Sequence, residues 1–357
     1  MEIQAGGAPA HTRTLEVRLA QDAGNRLRAR GAVVDLRKRG LVPMAGDLQT
    51  NGFIHHMRVD ATLRRDGPEP VFETIRADQP TVAFEPSAGT GGECCRDPVA
   101  RIEALAGSTL DAGFARRLGA AIGGPLGCSH VLTAAQLLGS TVRTALDADL
   151  AAFGAEVPRA AGQRIFERSL SIDGLEDGDR GLSLSLQLAD VHFAPVPLDE
   201  IVDPLERLAA QHEIRVHADV DLGAMTLRSV GAGERTTTAG DYQEAPWRTR
   251  DLAFLDGHPA LGGMAGTLFA KLSDAPADRP LLDALLNLAP AVIQCIPALT
   301  HHWKRWREAG SAKGDGGGPS MMAGGGMVDS CYMWRADGFL HGHIAETMKS
   351  MRGGEGD

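Results

Sequence analysis

Cys128 and His130 stand two apart in the run Gly127-Cys128-Ser129-His130, where a loop holding Gly123, Gly124 and Pro125 gives way to a helical apolar stripe. A thiol at a helix start meets unpaired N–H groups and the positive end of the helix dipole, both of which favour its thiolate. Inside a regular helix His130 would point away from Cys128, so the two reach one point only if the Gly-Cys-Ser segment is still non-helical. Upstream, His55 and His56 sit side by side in an alternating segment, and Cys94 and Cys95 follow a Gly-rich loop. Neighbours on a strand face opposite ways, so one of the two histidines joins such a cluster. Mixed nitrogen and sulfur ligation suits Zn or Fe, and His55, Cys95, Cys128 and His130 are the candidate ligands. Without metal, His55 or His130 moves a proton, with Cys128 counted among the catalytic groups, while Arg58, Arg96 or Arg101 holds a carboxylate or phenolate. A third use of the same groups is a Cys128 nucleophile with His130 or His55 as its base.

Other chemistries find no support. The loop before Cys128 has neither the GxGxxG spacing nor the lysine of a phosphate-binding loop, and no G-x-S-x-G elbow occurs. A net charge of -10 without a basic, aromatic-interleaved stripe argues against nucleic acid. Residues 1–14 lack an apolar core of signal-peptide length, and no run approaches 18 uninterrupted apolar residues. The expected setting is the cytoplasm, away from membranes. Five cysteines, an odd number, fit free thiols better than a disulfide framework.

These groups need a scaffold, and a chain of 357 residues is long enough for two domains of roughly 100–200 residues each. Apolar residues alternate near Thr14–Leu19, Leu27–Leu36 and Ile54–Leu63, predicting an antiparallel sheet. Helical spacing follows, strongest from Val131 to Leu146. The same order recurs in the second half: Leu182–Val191 alternates, and Val216-His217-Ala218-Asp219 echoes the segment after Ile54. Leu281–Val292 then echoes Val131–Val142 at an offset that sets Pro280 opposite His130 and Asp278 opposite Cys128, with Trp247 near the place of Cys95. The predicted fold is α+β: two tandem related domains, each a small antiparallel sheet with helices on one face. Residues 1–150 form the first repeat, carrying the Cys/His constellation, and 151–308 a degenerate second one. Residues 309–327, within a run holding eight glycines between Gly310 and Gly326, form a flexible linker or lid, and 328–357 a tail on the core. Trp303, Trp306 and Trp334 gather near the end. A tail closing over a pocket makes Trp334 a substrate-binding candidate beside Arg58 and Arg96.

The strand Ile54-His55-His56-Met57, the later Cys95, the helix start Gly127-Cys128-Ser129-His130-Val131 and the tail Cys331-Tyr332-Met333-Trp334-Arg335 together resemble a bacterial domain family of unknown function. Its marks are a His-Asp-Met strand, a Gly-Cys-Thr-His-Leu helix start and a Cys-Tyr-Ala-Trp-Arg tail. The resemblance covers about residues 13–147 and the tail, and it selects His55 over His56. His56 stands where the family has Asp, and Ser129 and Val131 replace Thr and Leu. The order of sheet, ligand-like strand residue and helix-start Cys/His also resembles the NifU-like iron–sulfur scaffold fold, without that scaffold's own signatures. The family's association with aromatic and phenylpropanoid catabolism implies a lyase that removes carbon dioxide or formaldehyde from a lignin-derived aromatic dimer. The competing expectations are a metal- or cluster-binding scaffold and the cysteine-nucleophile hydrolase. The expected partners are a small aromatic molecule and, if the two copies pair across chains, a second chain in a homodimer.

Overall fold

The computed structural model describes residues 7–38, 42–44, 47–49, 52–154, 157–178, 181–196, 207–238, 245–273, 275–302, 328–343 and 346. The first half runs β1 (Ala8–Gln21), β2 (Arg26–Arg37), a short hairpin of β3 (Val42–Met44) and β4 (Asp47–Gln49), β5 (Gly52–Arg64) and β6 (Val71–Thr81). Helices α1 (Phe114–Ile122) and α2 (Ser129–Phe153) follow. The second half runs β7 (Arg164–Asp177), β8 (Gly181–Phe193), β9 (Leu208–Asp221), β10 (Thr226–Thr238), β11 (Arg248–Arg250), α3 (Met264–Leu272), α4 (Arg279–Leu285) and α5 (Leu288–Cys295).

Strand alternation dictates one covered face and one open face. On β1, His11, Arg13, Leu15, Val17 and Leu19 are buried while Thr14 and Arg18 are exposed; on β2, every second residue from Leu27 to Arg37 is buried. The buried phase lies beneath the helices, and the other phase faces outward with polar residues. α2 packs over β1, β2 and β5, α4 lies over β8 and β9, and α5 lies over β1, β2, β7 and β8. Gly31 lies beneath this contact, its side-chain direction filled by Ala134 and Leu138 of α2.

The expectation of two small sheets is corrected: one antiparallel sheet of nine strands runs through both halves, in the order β11-β10-β9-β8-β7-β1-β2-β5-β6. Its seam is the antiparallel β1–β7 pairing, from Ala8 opposite Glu176 to Ala20 opposite Arg164. Two separate sheets would each leave a long inner edge of unpaired backbone groups, and joining them removes both. This continuous sheet also departs from the NifU-like expectation of a small self-contained one. A second correction concerns the echo of α2. Pro290 lacks an N–H and its ring collides with the carbonyl four residues back, at Leu286. The helix breaks there into α4 and α5. The stretch Pro276–Leu299 is long and apolar enough by composition to cross a membrane, and most of it is buried within the protein.

The tail packs where it meets the start of α2. The Tyr332 amide donates to the Gly127 carbonyl at 2.8 Å, Arg335 pairs with Glu93, and Met333 is buried. Trp303, Trp306 and the glycine-rich 309–327 lie outside the described residues.

Candidate functional site

The site starts from one strand row. Arg13 of β1, Asp35 of β2 and His55 of β5 lie side by side in register, and His11 and Arg37 form the next pair along the same buried face. Placing charged residues on the covered phase buries them: Asp35 is 0% exposed and Arg37 3%. α2 then sets His130 over this row. Cys128, its N-cap, has extended backbone at φ -97° and ψ 123°. That non-helical residue brings the two side chains together, with Sγ of Cys128 3.8 Å from Nδ1 of His130.

Asp35 is the hub. It accepts from Arg13 Nε at 2.8 Å and Nη2 at 3.0 Å. Nε2 of His130 lies 3.1 Å from Oδ2, Nε2 of His11 3.2 Å from Oδ1, and Nδ1 of His55 3.5 Å from Oδ2. The rings of His55 and His130 stack, centroids 3.8 Å apart and tilted by 30°. Burial works to raise the Asp35 carboxyl, but the Arg13 guanidinium and the three imidazoles hold it well below the usual carboxylate range. Burial, with His55 alongside, pushes His130 down to about 3, so its ring is neutral at pH 7. With the Nε2 proton turned to Asp35, Nδ1 is left as the acceptor facing Cys128. Gln294 of α5 reaches the same nitrogen, its side-chain amide 3.2 Å from His130 Nε2.

The thiols are not activated. Burial pushes Cys128 up to about 12 despite the backbone amides of Val131 and His130, and Cys95 is raised well above the ordinary range by burial and by Cys128 and Cys331. Cys295, on α5, is likewise pushed up to about 12 although Arg37 acts on it. Its sulfur occupies the space a side chain at Gly174 would take, where a Cβ would come within 2.1 Å of Sγ.

The donor atoms of Asp35, His55 and His130 lie within 4.8 Å of one another, and these three residues could hold a metal ion. The structure thus brings His55 and His130 to one point with Asp35. Cys128 faces the other nitrogen of the His130 ring, and Cys95 is near Cys128 rather than in this triangle. Arg58 points to the open face and pairs with Asp78 at 2.8 and 3.0 Å. Arg96 is held by Glu85 at 2.9 Å and the Gln79 carbonyl at 2.7 Å, and Arg101 by the Ala121 carbonyl at 3.3 Å. Trp334 meets Phe84 edge to face at 6.1 Å, and Phe84 packs on Ile54, the neighbour of His55. His56 lines a 530 Å³ hollow on the open face with Thr14, Glu16 and Gln187. A second hollow of 220 Å³ lies among α1, α2, α3 and α4, lined by Leu118, Gln136, Phe269 and Asp283. Trp247 stacks under Arg215 and Arg235.

Sequence reasoning missed His11, Arg13, Asp35 and Arg37. The available signal was phase: Leu27, Ala29 and Val33 occupy the same alternate positions as Asp35 and Arg37, so the charges fall on the apolar face.

Residues 11–144 match the family described as "Protein of unknown function (DUF2889)". The matched span takes in His11, Arg13, Asp35, Arg37, His55, Cys95, Cys128 and His130, and ends before the second half. No curated protein and no solved structure matches the chain.

Proposed function

We propose that the chain is an enzyme: a lyase that releases a one-carbon group, as carbon dioxide or formaldehyde, from an aromatic substrate of the phenylpropanoid or lignin-dimer type. The observation that carries the reading is the pair of stacked imidazoles, His55 and His130, set over one arginine-anchored carboxylate. Loss of formaldehyde from a hydroxymethyl group takes one proton from oxygen, breaks a carbon–carbon bond, and returns one proton to the carbon that keeps the electron pair. Two positioned imidazoles suit a reaction that removes and restores a single proton. His130 accepts the proton at Nδ1 while Asp35 steadies the imidazolium through Nε2, the same imidazolium returns that proton to the carbon, and His55, stacked on it, holds the ring in place. Phe84 and Trp334 form an aromatic pair, Phe84 packing on the cluster of Ile54, the residue before His55, and Ala83. We place the reaction in the cytoplasm, in keeping with five free cysteines. We further infer that the halves are two copies of one unit, because Arg13 with Asp35 and Arg168 with Asp190 repeat one strand register.

The test is incubation of the purified chain with hydroxymethyl- and carboxyl-bearing aromatic dimers, with formaldehyde and carbon dioxide measured directly. Release that falls with His130→Gln and His55→Gln is expected. No release from any member of the panel, or release indifferent to both substitutions, overturns the reading.

A second reading has the 4.8 Å convergence of Asp35, His55 and His130 in its favour: a site for Zn or Fe, in a metal-binding scaffold. Stoichiometric metal in the purified protein, lost on His55→Ala with no turnover at any stage, would favour it.

A further inference from the structure

We propose that Arg37, with His11 and Arg13 beside it, is an anion subsite that anchors a substrate carboxylate inside the protein, next to His55 and His130. The proposal deepens the lyase reading and rests on it for the identity of the neighbouring centre. Nε and Nη1 of Arg37 are buried and make no hydrogen bond, and among the described residues no carboxylate lies within ion-pair distance of it. Its neighbours pair with Asp35, yet single atoms on them also lack a hydrogen bond. Arg13 spends Nε and Nη2 on Asp35 and leaves Nη1 buried without a partner, and Nε2 of His11, the register partner of Arg37, lacks hydrogen-bond geometry.

Two guanidinium groups here face one carboxylate. A buried cation without a counter-ion, and buried donors without acceptors, are among the costliest features a core can hold. The fold does not demand them. In the second half the position matching Arg37 is His192, satisfied by Asp149 at 2.7 Å, and the position matching His11 is Phe166. The excess positive charge selects the ligand: a divalent cation would add to it, whereas a carboxylate cancels it and offers acceptors to the idle donors. Arg58 and Arg96, the arginines expected for this task, are already held by Asp78 and Glu85.

Equilibrium binding of an aromatic carboxylate such as a hydroxycinnamate, and of its methyl ester, to the full-length chain tests this without turnover. The carboxylate should bind at least about tenfold more tightly than the ester, and Arg37→Gln should remove that preference. His130→Gln should lose turnover while keeping carboxylate affinity within about threefold. If Arg37→Gln does not fold, Arg37→His, which places in β2 the residue found in β8, takes its place in the same assay. Equal affinity for acid and ester, or a preference unchanged by the Arg37 variant, overturns the subsite. A preference that follows Arg37 in a chain that releases no one-carbon product keeps the subsite and removes the lyase.

Discussion

The Arg13–Asp35 pair of the first half and the Arg168–Asp190 pair of the second hold matching places on neighbouring strands, and both are buried. Their surroundings differ. Arg168 is saturated: Nε and Nη2 each reach Asp190 at 2.6 Å, Nη1 pairs with Asp283, and Asp283 also accepts from Ser140 at 2.5 Å. The matching Nη1 of Arg13 has nothing, and imidazoles crowd its carboxylate instead. Asp283 reaches into the second pair from α4 as His130 reaches into the first from α2. The comparison separates what the fold needs, an arginine–aspartate pair beneath a helix, from what it does not need, the histidines and a second arginine.

Four measurements would break or sharpen that contrast. Asp190→Ala leaves Arg168 facing Asp283 alone and should destabilise the chain by about 3–5 kcal/mol in urea unfolding; a cost near zero would mean that the second pair is not structural. The next effect is on pH. Burial, with Asp190 close by, raises Asp283 to about 6 in spite of Arg168 and Ser140. A folded pKa above the unfolded one means that the folded state holds the extra proton. The stability this brings is full below about pH 4 and is lost as pH rises through 6, about 3 kcal/mol in total. Unfolding free energies of wild type and Asp283→Asn across that range should diverge in slope, and parallel curves would refute the assignment. His130→Gln should lower kcat/KM for one-carbon release at least about a hundredfold, equivalent to about 2.7 kcal/mol, with stability changed by less than about 1 kcal/mol. The smallest effect runs the other way. Arg37→Met removes an uncompensated buried cation and should stabilise the chain by about 1–2 kcal/mol while abolishing carboxylate preference; a drop in melting temperature would show that Arg37 is already paid for within the fold.

Much of the scaffold was legible because its physics is local. The alternation in β1, β2 and β5 and the apolar stripe of α2 are short-range signals; the break between α4 and α5 was missed although its signal, Pro290, is equally local. The Cys128–His130 contact was legible as a condition, met by the extended backbone at Cys128. β6 was harder to read, since its pairing slips between Thr62 and Leu63 and breaks strict alternation. Asp35 and Arg37 escaped for a related reason. Val34 and Leu36 are apolar on the opposite phase, so the phase signal set by Leu27, Ala29 and Val33 is diluted just where the charged residues stand. The β1–β7 seam leaves no local trace at all, because strand pairing across the whole first half is fixed by packing and edge protection rather than by neighbours in sequence.

That seam has a consequence for synthesis. Leu15 pairs with Leu170, and at roughly 5–20 residues per second the ribosome takes on the order of 10–30 s to make the intervening chain. Throughout that interval β1 offers an open inner edge, and a neighbouring nascent chain on the same message carries an identical one. The order of translation therefore makes the first half its own most available wrong partner until β7 emerges.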